Sequence, residues 1–167
     1  LSPGNSIAVA DAGSAVFAGA RAGNGSFVTS AAAGNAGALQ VGRTAVVGSL
    51  VPDDYTVAFA VAVDGSVTYT VTGALSGPVA AGAYQAGDTL TFKGVSLSLT
   101  GLPANGDTLS VRPAGRQDMF AALAELAVAL ELPDGSLTVG AAQANRLNRS
   151  LENLDQQMLH LSGLRAS

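Results

Sequence analysis

One histidine, no cysteine and twelve scattered carboxylates make up most of the reactive chemistry in this 167-residue chain. His160 is the single imidazole. A metal site or a catalytic triad would need a second imidazole, a thiolate or a nucleophile brought to it. His160 falls instead beside an apolar seam on a C-terminal helical stretch, and a solvent-facing side chain is expected there. Asp53-Asp54 is the one adjacent carboxylate pair. Glycosidase or calcium chemistry needs carboxylates converging from separate elements, or calcium-loop spacing, and neither pattern occurs. Pro52-Asp53-Asp54 therefore reads as a turn that opens a strand.

Asp64, Asp107 and Asp134 each adjoin a glycine and read as turn residues too. Gly23-Asn24-Gly25-Ser26 lacks the lysine and the strand-to-helix context of a phosphate loop. Arg146 and Arg149 lie off the seam and are expected on a solvated face. No catalytic, cofactor-binding or metal-ligating set is expected, and the chain does not read as an enzyme.

The composition narrows the classes further. Net charge is −4, and the eight Lys and Arg form no cluster that could neutralise phosphates, so nucleic-acid binding is not expected. No apolar run approaches the roughly 20 residues that span a bilayer, so no membrane partner is expected either. Absent cysteine excludes disulfides and leaves the compartment open. Apolar residues make up 48% but aromatics only 5%, so any core is built from small side chains. The chain starts at Leu1 without a signal region and reads as a core fragment lacking terminal regions.

Two kinds of element must position these residues. Within 1–45, Ile7–Val9, Ser26–Ser30 and Ala38–Arg43 are short strand candidates, and Phe17 and Phe27 are the large anchors. From Tyr55 the side chains alternate. Tyr55, Val57, Phe59, Val61 and Val63 share one face, and Val67, Tyr69 and Val71 answer them after Asp64-Gly65. Keeping one apolar face requires a loop longer than two residues, with Val63 opposite Val67 and Val61 opposite Tyr69. A second hairpin turns at Lys93-Gly94 and pairs Phe92 with Val95 and Leu90 with Leu97. Pro103-Ala104-Asn105-Gly106 turns into a further strand carrying Leu109 and Val111.

The period then changes to that of a helix. Met119, Phe120, Leu123, Leu126, Ala127 and Leu130 recur at three and four, with Asp118 in the first turn and Pro133-Asp134-Gly135 as the stop. A longer helix runs from about Thr138 to Arg165, and Leu147, Leu151, Leu154, Met158 and Leu161 form a heptad seam along it. At 1.5 Å per residue the helices measure roughly 22 and 42 Å, which leaves most of the seam overhanging its neighbour. The seam is either ordinary core or an interaction face. The expected fold is α+β: an antiparallel β-rich outer domain over 1–115, then a helical segment over 116–167 in which a hairpin ends in a long coiled-coil-type helix.

Residues 84–130 carry a resemblance. The pattern Gly101, Pro103, Ala104, Gly106, Asp107, Leu109 and Val111, followed by the helix opening Met119-Phe120, resembles the flagellar hook-associated protein 3 family. The ending LDQQMLHLSGLRAS resembles that family's return helix, and Asn35-Ala36-Gly37 stands where an Asn-small-Gly element is expected. Leu109 departs from the usual Phe. The resemblance implies a non-enzymatic, secreted subunit of the extracellular bacterial flagellum, exported through the flagellar type III channel. It also implies partners: hook-associated protein 1, flagellin and copies of itself in a ring at the hook–filament junction. In such subunits terminal helices form an inner coiled-coil tube, and the seam is expected to pack on helices outside this fragment or on a neighbouring copy. The alternatives are a hook-associated protein 1 or flagellin outer domain and, in another class, a surface adhesin or sugar-binding β module. An adhesin would need an aromatic platform or a metal cluster, which no Trp and one His do not supply.

Overall fold

The computed structural model describes residues 17–130 and 137–165. Eight strands form two antiparallel sheets: β1 (Phe27–Ala31), β2 (Gln40–Val46), β3 (Tyr55–Val61), β4 (Val67–Gly73), β5 (Gly77–Tyr84), β6 (Thr89–Phe92), β7 (Val95–Thr100) and β8 (Thr108–Pro113). The larger sheet runs β1-β8-β3-β4-β5 and the smaller runs β2-β7-β6. Helices α1 (Met119–Leu130) and α2 (Leu137–Arg165) follow. The α+β reading, antiparallel sheets and then a helical pair, is borne out. The candidate strand Ile7–Val9 and the stop Pro133-Asp134-Gly135 lie outside the described residues.

Local chemistry explains the hairpins. At Lys93-Gly94 both φ angles are positive, 45° and 83°, as a two-residue turn of the type I′ class requires. Phe92 faces Val95 and Leu90 faces Leu97, as expected. The β3–β4 register differs from expectation: Val61 pairs with Val67 and Phe59 with Tyr69. The three-residue connection is Val63-Asp64-Gly65, closed by the Ala62 N–H donating to the Ser66 carbonyl at 2.9 Å. Gly65 takes the left-handed position (φ 84°), and the Asp64 carboxylate accepts from the Ser66 N–H and hydroxyl at 2.9 and 2.7 Å. That chemistry moves the loop one residue toward the N-terminus. The pairing shifts by two residues, so the apolar face survives. Val63 ends at the tip, fully exposed.

Both sheets feed one core. Phe27, Tyr55, Val57, Leu109 and Val111 come from the larger sheet, and Val95, Leu97 and Leu99 from the smaller. The rings of Tyr55 and Phe92 meet edge-on across the two sheets at 5.4 Å. Leu109 is fully buried. Phe27 is an anchor as expected, whereas Phe17 is partly exposed against Phe120, with ring centroids 5.7 Å apart. Strand β5 escaped the sequence reading, because its run of Ala and Gly carries little alternation.

The helices depart further from their sequence pattern. Asp118 caps α1 from just outside it, accepting from the N–H groups of Phe120 and Ala121 at 2.8 and 3.2 Å. Helix α1 buries Ala122 and Ala129, while Phe120, Leu123 and Leu130 are exposed. Of the other members of the three-and-four pattern, Met119 and Leu126 are half-buried and Ala127 is exposed, because α1 is apolar on nearly every side and its alanines allow the closest approach. The two helices run antiparallel, with Gln143 Nε2 donating to the Ala129 carbonyl at 3.4 Å and Gln157 Nε2 to that of Gln117 at 3.2 Å. α1 thus lies alongside residues 143–157, and of the seam only Met158 and Leu161 extend past it. The larger overhang expected from the helix lengths is corrected accordingly.

Candidate assembly interface

The carboxylates singled out by sequence are turned onto backbone N–H groups. Asp53 is buried and accepts from the N–H of Leu75 (3.1 Å), the N–H of Ser76 (2.9 Å) and the Ser76 hydroxyl (2.8 Å). Burial alone would raise its pKa, but bonds from Ser76, Leu75 and Asp54 outweigh it and hold the carboxyl below the usual range. The adjacent Asp54 is exposed. Asp107 does more than shape its own turn. Buried, it accepts from Ala36, Gly37 and Ala104 N–H at 2.8, 3.0 and 2.9 Å. Asn35 clamps Thr108 on both backbone atoms at 2.9 Å, so Asn35-Ala36-Gly37 splices the early loop onto β8. An added Cβ at Gly37 would collide with the Ala104 backbone.

His160 is half-buried on α2 rather than facing solvent, and among the described residues no group of three or more His, Asp or Glu could hold a metal. Asp134 lies outside the described residues.

The informative surface of α2 is polar. Asn145 completes the edge of β2 as a strand would: its Oδ1 accepts from the Val41 N–H at 2.6 Å and its Nδ2 donates to the Leu39 carbonyl at 2.9 Å. Asn148 donates to the Val41 carbonyl at 2.8 Å. One turn on, Glu152 accepts from the Thr44 hydroxyl at 2.6 Å, and that hydroxyl accepts from Asn24 at 2.9 Å. Burial pushes the Glu152 carboxyl up; the Thr44 bond opposes this and the Asp155 charge adds to it. Asn153 accepts from the Gly23 N–H at 2.6 Å, so the Gly23–Ser26 loop is a docking loop for α2. Arg149 is half-buried and donates to the Ser30 hydroxyl at 3.2 Å, which corrects its expected place on a solvated face; Arg146 is exposed.

Part of this pattern is legible in the sequence: Asn145, Arg149, Asn153 and Gln157 recur every four residues along α2. The leucine seam lies elsewhere on the helix. Leu151 and Met158 are 55% and 69% exposed, and Leu147, Leu154 and Leu161 are half-buried. Leu159 on α2, and Phe120, Val128 and Leu130 on α1, are also more than half exposed. On the β body the most exposed large apolar side chains, Val63, Leu75 and Leu102, sit singly in the connections between strands.

No family model matches the chain, and no curated protein does. Solved structures do. The flagellar junction protein FlgL of Legionella pneumophila is 30% identical, with a TM-score of 0.91 over 96% of this chain and 53% of that one. A flagellar hook-associated protein 3 structure from the same organism is 30% identical at a TM-score of 0.90, covering 96% and 52%. FlgL of Xanthomonas campestris is 29% identical at 0.84, covering 92% and 50%. The resemblance to hook-associated protein 3 drawn from residues 84–130 thus extends over nearly the whole chain, which spans about half the length of these relatives.

Proposed function

We propose that this chain supplies the outer β body and part of the helical shaft of a structural subunit joining hook to filament in the bacterial flagellum. The observation that carries this reading is agreement in fold with FlgL and hook-associated protein 3 at 29–30% identity. The subunit is secreted, non-enzymatic, and forms a ring with copies of itself between hook-associated protein 1 and flagellin. Its β body extends from residue 1 to 115 and its helical part from 116 to 167.

The physical case runs through α2. Its amides lock the helix to β2 and to the loop at Gly23, so a load on the shaft reaches the β body through many short bonds. The seam Leu147, Leu151, Leu154, Met158 and Leu161 packs on helices outside this chain, which would cover apolar surface that the chain itself leaves to solvent. Deleting the gene tests the reading. Hooks without filaments, with flagellin shed into the medium, are expected. Normal filaments and motility would overturn it. In the full-length protein, solvent-exposed side chains at Leu151 and Met158 would sink the seam assignment alone.

A further inference from the structure

A cleft of about 270 Å³ lies between β1 and α2. Its lining is short, with Ala31, Ala32, Ala141 and Ala142 leaving the space, and Arg146 and Arg149 supply its positive charge. Asp107 lines it as well, but is occupied by three backbone N–H groups. Arg149 is half-buried on a neutral hydroxyl, and among the described residues neither arginine meets a carboxylate at ion-pair distance. A half-buried guanidinium bonded only to a neutral group is a strong receptor for an anion.

The β3–β4 tip has the complementary chemistry. Val63 is fully exposed at a turn position where polar side chains are the rule. Both Ser66 bonds to Asp64 fall on Oδ1, leaving Oδ2 open. Those bonds from the Ser66 N–H and hydroxyl also hold the Asp64 carboxyl below its usual range, and therefore charged. In the sheet β8 separates β3 from β1. Two strand spacings, roughly 10 Å, keep the tip from its own chain's cleft.

We infer that the Val63-Asp64 tip of one copy seats in the β1–α2 cleft of a neighbouring copy, the valine among the alanines and the carboxylate on Arg146 and Arg149. Tip and cleft are different patches, so the contact is head-to-tail and links copies in series, as a ring requires. The inference rests on the reading of the chain as an assembly subunit.

The test is sedimentation of the full-length protein over a concentration series, with wild type, Asp64→Arg, Arg146→Glu and an equal mixture of the two variants. Arg146→Glu breaks no internal bond, so folding is preserved, and circular dichroism checks it. Wild type is expected to self-associate, each variant at least tenfold more weakly, and the mixture to recover association through the reversed pair. Absent wild-type association, variants that associate as well as wild type, or a mixture no better than its components would each overturn the inference. A normal deletion phenotype would instead strike the junction reading, so the two can fail separately.

Discussion

In the β body Leu97, Leu99 and Leu109 have no exposed surface, whereas on the helical pair Phe120, Leu151 and Met158 are more than half exposed. Both parts also bury polar residues: Thr29, Asp53 and Asp107 in the β body, and Ser150, Asn153 and Gln157 on helix α2. A sheet pair that closes on its own leucines is a finished core. A helix pair that buries amides and alanines and displays leucines leaves apolar surface in water, which forgoes about 25 cal/mol per Å². Under the proposed function the difference separates an outer body from a shaft whose leucines a partner covers.

Paired substitutions test this contrast most directly. Leu99→Ala should cost about 2–5 kcal/mol in chemical denaturation, because a fully buried leucine leaves a cavity. Leu151→Ala in this same chain should change stability by less than about 0.5 kcal/mol. Equal costs would break the comparison and make the seam ordinary core.

Next in size is the polar joint. Asn145→Leu keeps the volume but strands the Val41 N–H and the Leu39 carbonyl at the β2 edge. A loss of about 1–3 kcal/mol is expected, together with faster amide exchange at Val41. Unchanged exchange would show that water replaces the asparagine and that the joint is loose.

The smallest effect is on pH dependence. Glu152 has its folded-state pKa raised above the ordinary 4.5 by burial. The folded chain therefore holds this proton more tightly than the unfolded chain, and stability falls as pH rises through that window. Asp53 has the opposite sign: its folded pKa lies below 3.8, so its contribution is present above that value and lost as pH falls through the folded one. Glu152→Gln, which preserves an acceptor for Thr44, should raise the denaturation midpoint slightly at pH 7 and not below about pH 4. A gain that persists in acid would point to a packing effect instead.

Much of the β body could be read in advance, because its signals are local. Period-two alternation and the Lys93-Gly94 turn set the β6–β7 register outright. At β3–β4 the requirement for one apolar face survived, yet the loop moved one residue because Gly65 and the Asp64–Ser66 bonds outweighed the simplest alignment. Strand β5 went unread because a small-residue strand has almost no periodicity; its place at the sheet edge comes from pairing with β4. On the helices the apolar pattern does not decide burial, which follows the neighbour and not the residue's own hydropathy. Asn145 and Asn153 are buried or half-buried because backbone groups of β2 and of Gly23 face them.

By itself the sequence determined the α+β class, the two hairpins and the extent of the helices, all properties carried by residues close together in the chain. Tertiary structure alone decided that Asp107 would splice Asn35-Ala36-Gly37 to β8, that Asn145 would complete the β2 edge, and which face of each helix meets water. Those partners lie about 70 to 105 residues apart in the chain. A buried hydrogen bond is specified by where the fold places donor and acceptor, and no local periodicity encodes that separation.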